Sequence, residues 1–177
     1  MVQSSIKQVF LGVDPGYADM GFGIVGSMRG AVGRLGGQQC LAYGSIQTAK
    51  NLAVGVRLEQ IYAGLADVIK RYKPGYAAVE KLYFAKNTKT ALLVAEARGV
   101  ILLCLQQFGI PYIEFDPVQV KLAVCGHGCA TKSEMQKMVK ILLTLKETPR
   151  PDDAADALAL AIALSASRIL HTERTPI

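Results

Sequence analysis

The chain has 177 residues, 51% of them apolar, and 20 Lys and Arg against 14 Asp and Glu give it a formal net charge of +6. That length carries one domain with a sizeable core and leaves no room for two full α/β domains, so a single domain is expected over residues 1–177, its core at about 9–165 and a short tail at 166–177. The apolar runs fall short of a spanning helix and the start, MVQSSIKQVF, lacks the pattern of a secretory signal, so a cytoplasmic protein is expected, its positive excess permitting a polyanionic partner without naming one.

QVFLGV at 8–13 is a short apolar run cut off by Asp-Pro-Gly, the pattern of a buried strand meeting a sharp turn. MGFGIVGSM at 20–28 and QQCLAYGSIQT at 38–48 follow, separated by the glycine-rich RGAVGRLGG, and read as two further strands. From Lys50 the period changes: Val54, Leu58, Ile61, Leu65 and Ile69 mark one amphipathic helix that KPG at 73–75 ends. YAAVE at 76–80 reads as a buried strand, residues 87–109 as a long helix with Asn87 as its N-cap, and PYIEF at 111–115 as another strand. A short helix near 117–124, the loop CGHGCAT, a helix from Lys132 to Leu145 and a last helix from about Asp152 complete the chain. Three strands followed by helix, strand, helix, strand and helix imply a mixed-sheet α/β layer fold.

Asp14 closes the first predicted strand and Glu80 the fourth. If those strands are parallel neighbours, both carboxylates project from one end of the sheet, where ligand sites of open α/β sheets form. In PDDAADALALAIA at 151–163, Asp153 and Asp156 are three residues apart and share a helix face, which could bring two more acids to the same volume. Each like charge disfavours ionisation of the next, so such a cluster calls for a cation, and an all-oxygen donor set suits Mg²⁺ or Mn²⁺. Singly, each acid has a plainer reading. Asp152 and Asp153 could serve only the helix start, Asp14 an ordinary turn and Glu80 a strand end, whereas Asp156 lies a full turn inside its helix.

FLGVDPGYADMGFGIV, AAVEKLYFAKN, EARGV, QVKLAVCGHGCATKSEM and DDAADALALAIA stand in the order and spacing of one family. From about Val9 to Ser165 the chain closely resembles RuvC, the bacterial Holliday-junction resolvases. The resemblance implies an α/β ribonuclease H-like fold, with a mixed central sheet of about five strands flanked by helices. It also implies a homodimer making Mg²⁺-dependent, symmetric cuts in a four-way DNA junction during recombination and repair, with the RuvA and RuvB branch-migration proteins as candidate partners. Two ions per site are expected, Mn²⁺ being able to substitute.

Carried over by position, the family's catalytic, metal-holding acids fall on Asp14, Glu80, Asp153 and Asp156. The turn before Asp153 is one residue longer than in the family pattern, which leaves Asp152 open as the alternative to Asp153. With two ions roughly 4 Å apart, Asp14 is expected to bridge both and Glu80 to hold one and help orient the water. Lys121 and Lys132 match the family's functional lysines, and Lys132 starts a helix where backbone amides favour phosphate. The family's aromatic after the glutamate is Tyr83 here, with Phe84 beside it; Tyr83 is expected to stack on an unpaired base and Phe84 to serve either DNA or core. Lys86 is expected on phosphate, while Lys89 and Arg98 could extend that track or sit on a solvated face. Gly126 and Gly128 are expected to let the backbone approach DNA.

CGHGC at 125–129 places three soft ligands in five residues, but no second pair stands at zinc-site spacing, and all four cysteines are read as free thiols. The helix over 87–109 carries Leu92, Leu93, Val100, Ile101, Leu102 and Leu103 on more than one face, as expected if one face packs on the sheet and another on a second subunit. The rival readings are a junction-binding protein with idle acids, an RNA-directed nuclease of the same fold, and an actin-like ATPase, which needs two such domains.

Overall fold

The computed structural model describes residues 6–28, 37–82 and 88–172, the side chains of 88–90 and 168–172 excepted. β1 (Ile6–Asp14), β2 (Asp19–Met28) and β3 (Gln38–Gln47) are followed by α1 (Val54–Tyr72), β4 (Tyr76–Glu80), α2 (Thr88–Gln107) and β5 (Tyr112–Phe115), then α3 (Pro117–Cys125), α4 (Lys132–Leu142) and α5 (Asp152–Thr172). The five strands form one sheet in the order β3-β2-β1-β4-β5. β1, β2 and β3 pair antiparallel, while β4 and β5 run parallel to β1, each reached by a helical crossover.

Alternation along the strands divides the core in two. Leu11, Val13, Ile24 and Val79 pack with Ile61 and Leu65 of α1 and Ile101 and Leu105 of α2 on one face. Phe10, Val25 and Ala78 pack with Val120 of α3, Val139 of α4 and Leu158 to Leu164 of α5 on the other. α5 is therefore buried nearly all round from Ala154 to Ala166, which explains its unbroken Ala and Leu content.

The helices differ from expectation in two informative places. Val54 is the first residue of α1 and is 43% exposed, whereas Arg57 is buried. Its guanidinium lies 3.7 Å from the Tyr17 ring centroid and Nε donates to Thr48 Oγ1 at 2.8 Å, so the first turn of α1 packs through a satisfied cation rather than an aliphatic side chain. α4 stops at Leu142, not Leu145, because Thr144 takes φ +53° and its N–H turns back to the Ile141 carbonyl. Among the described residues, no helix is long and apolar enough to cross a membrane.

Candidate active site

The site grows from strand register. Gly12 pairs with Ala78 and Val13 with Val79, so Asp14 and Glu80 stand one step further along adjacent parallel strands. Alternation puts both on the face of Gly12 and Ala78, beneath α5. On its other side Asp14 pairs with Gly21 of β2. A Cβ on Gly21 would fall 2.1 Å from the Asp153 carbonyl oxygen, one on Gly12 1.9 Å from that of Ala157, and one on Gly23 2.6 Å from the Leu158 nitrogen. Three glycines thus let α5 lie directly on β1 and β2, with its first turns over Asp14. Glycine costs a strand conformational entropy, and close backbone approach is the return.

Carboxylate oxygens of Asp14, Asp153 and Asp156 lie within 4.8 Å of one another. Glu80 joins them through a side-chain hydrogen bond with Asp14 that favours the proton on Asp14. Burial, then the charges of Glu80, Asp156 and Asp153, raise the Asp14 carboxyl from 3.8 to about 8. Burial also raises Glu80, Asp153 and Asp156. An all-oxygen donor set that resists ionisation alone, at the carboxyl end of a parallel strand pair, fits a hard divalent cation.

Asp152 has a different setting from Asp153. Its carboxylate points to Lys132 Nζ at 3.3 Å, Gln136 Nε2 at 3.0 Å and Arg150 Nη1 at 2.8 Å, outside the acidic cluster. It stands in the first turn of α5, as the helix-start reading expects, and side chains of α4 and of the preceding turn hold it. Lys132 Nζ also lies 3.4 Å from Asp156 Oδ2. Lys121 lines the same cleft of about 190 Å³ with Glu80, Lys132 and Asp156, while Lys132 is the one of the two predicted lysines that pairs with an acid of the cluster among the described residues.

Tyr83, Phe84 and Lys86 lie outside the described residues, as does the side chain of Lys89. Arg98 is not available to a phosphate track: its guanidinium pairs with Glu114 on β5. Gly126 takes φ +83° as the left-handed cap of α3, with open space around it, and Gly128 packs so that a Cβ would meet Val118 at 2.8 Å. Both glycines therefore have intramolecular reasons to be glycine. Cys125 Sγ faces Met135 Sδ at 3.4 Å while Cys129 faces His127, and all four cysteines are free.

The sequence reading missed Asp19. It starts β2, its charge helps raise Asp153, and its buried Oδ1 has no hydrogen-bond partner among the described residues. Asp19, Gly21 and Gly23 follow one another at two-residue spacing, which puts Asp19 on the α5 face, a signal that register alone makes readable.

The family model for "Crossover junction endodeoxyribonuclease RuvC" matches residues 10–164. The crossover junction endodeoxyribonuclease RuvC of Brevibacillus brevis is 48% identical over 86% of this chain and 88% of its own. That of Chloroflexus aggregans is 51% identical over 86% and 89%. The structure of T. thermophilus RuvC in complex with Holliday junction substrate superposes with a TM-score of 0.85 at 34% identity, covering 93% of this chain and 97% of that one. The five-stranded mixed sheet and flanking helices are the ribonuclease H-like architecture expected from the sequence. With the family model matching residues 10–164 and relatives about half identical over most of its length, the chain belongs to the RuvC family of crossover junction endodeoxyribonucleases.

Proposed function

We propose that this chain is a structure-selective endonuclease that resolves four-way DNA junctions by metal-dependent phosphodiester hydrolysis, as a cytoplasmic homodimer making two symmetric cuts. The observation that carries this reading is the convergence of Asp14, Asp153 and Asp156 beside Glu80, four acids that charge repulsion and burial hold back from ionising together.

Asp14, Glu80, Asp153 and Asp156 would hold two ions, Mg²⁺ or Mn²⁺. When bound, the ions neutralise the phosphate, lower the pKa of the attacking water and stabilise the leaving 3′ oxygen. Asp153 rather than Asp152 belongs to this set, since Asp152 faces Lys132, Gln136 and Arg150. Glu80, hydrogen-bonded to Asp14, would orient the water. Lys132 and Lys121 hold the scissile strand against the acids across the shared cleft. Lys86 would add a phosphate contact, and Tyr83 would stack on a base freed at the crossover, with Phe84 beside it. The loop at Gly126 and Gly128 would border the same strand.

The decisive experiment uses an end-labelled synthetic four-way junction with Mg²⁺, a linear duplex and a structured RNA. Paired symmetric nicks confined to the junction are expected. Binding without nicks, with Mn²⁺ also tried, would make this a junction-binding module, and preferential RNA cleavage would make it the RNA-directed nuclease.

Dimerisation rests on α2. Ile101, Cys104 and Leu105 pack on the sheet, while Leu92 and Leu103 stay 65% and 54% exposed along the other side. Leu103→Glu is expected to shift the sedimentation mass from dimer to monomer and to turn paired cuts into isolated nicks, with little change in far-ultraviolet circular dichroism.

A further inference from the structure

Resting on the nuclease reading above, one residue outside the acidic cluster acquires a role. We propose that Asp152 is a positioning residue for Lys132, tethering its ammonium beside the site when Asp156 is taken up in holding cations. Lys132 is the first residue of α4, 55% exposed in its side chain, and its Nζ stands between Asp152 Oδ2 at 3.3 Å and Asp156 Oδ2 at 3.4 Å. The two carboxylates are four residues apart on α5 and so present one face to the lysine. They are not equivalent: Asp156 belongs to the cluster with Asp14 and Asp153, and Asp152 does not.

Cation binding therefore removes one of the two partners. The charge of Asp156 is then shared with an ion that repels an ammonium, and Asp152 is the remaining carboxylate at Lys132 among the described residues. Asp152 is itself fixed, because its Oδ1 accepts from Gln136 Nε2 at 3.0 Å and Arg150 Nη1 at 2.8 Å. Gln136 lies one turn along α4 from Lys132, so the anchor and the anchored group share a helix face. A long flexible lysine loses much rotamer freedom when it is held in place, and a fixed carboxylate holds it before the substrate arrives.

Asp152→Asn keeps an acceptor for Gln136 and Arg150 and removes the charge that Lys132 sees. In the intact protein with Mg²⁺, acylation of Lys132 by an amine-directed reagent, followed by mass spectrometry, is expected to rise several-fold in Asp152→Asn, with exposed Lys137 as the internal control. Cleavage kcat is expected to fall roughly tenfold with KM unchanged, Asp152→Glu to recover part of it, and the loss to vanish in a Lys132→Ala background, since coupled residues are not additive. Unchanged labelling overturns the proposal whether or not the protein cuts DNA. A loss that adds to that of Lys132→Ala, or one accompanied by weakened Mn²⁺ binding in calorimetry, also overturns it. Absence of cutting by the unaltered protein would instead defeat the nuclease reading.

Discussion

Asp14→Asn is expected to reduce junction cleavage by on the order of 10³-fold or more, the scale of losing a group central to charge stabilisation in a reaction. The same variant is expected to be more stable than the parent without metal at neutral pH. Asp14 titrates near 8 in the fold against 3.8 ordinarily, so between those values the native state binds more protons than the unfolded chain. Its contribution therefore weakens metal-free stability as pH rises from about 4 to about 8. Asp14→Asn should flatten that slope in thermal melts. Binding a divalent cation needs the ionised acids and releases their protons, so Mg²⁺ should stabilise the parent more at pH 8 than at pH 6 and lose much of this effect in the variant. A parent melting curve insensitive to Mg²⁺ at pH 8 would oppose the metal assignment.

Gly12→Ala carries the second large effect. The added methyl would fall 1.9 Å from the Ala157 carbonyl oxygen and 2.7 Å from the Ala161 nitrogen, both backbone atoms of a buried helix that no rotamer change can move. Overpacking of this kind costs about 1–3 kcal/mol, and in a chain of this size the melting temperature falls roughly 2–4 °C per kcal/mol. Activity should suffer beyond stability, since lifting α5 carries Asp153 and Asp156 away from Asp14, and about 1 Å of misplacement costs on the order of 10²-fold. Gly55→Ala is the control: open space surrounds that position in the first turn of α1, so a small gain or no change in melting temperature is expected. Wild-type cleavage by a folded Gly12→Ala protein would show that the α5 contact does not set the site.

Much of this arrangement was legible in the chain. The ten elements could be read from two local patterns, short apolar runs cut off by turn residues such as Asp-Pro-Gly and helical spacing that Lys-Pro-Gly ends in the first helix, because burial is a constraint each segment meets by itself. Asp14, Glu80 and Asp153 sit at element ends and Asp156 one turn further along the same helix face, and the family resemblance joined them. Local pattern does not encode partners. Asp152 and Asp153 are adjacent acids in the same first helical turn, indistinguishable by composition. Only the packing of α4 against α5 turned one to Lys132 and Gln136 and the other to Asp14. The same holds for Asp19, which joins the acids through the register of β2, and for Arg98, which a basic-track reading offered to DNA and which pairs with Glu114 on β5.

The amino-acid sequence by itself determined the succession of strands and helices, the family and the four candidate acids, because periodicity, turn residues and motif spacing are properties of neighbours along the chain. The tertiary structure decided which acids share one volume, how strongly they resist ionisation, and which carboxylate holds Lys132. Those depend on distances between separate segments, β1, β4 and α5 for the acids and α4 and α5 for Lys132, with three glycines letting one helix rest on two strands.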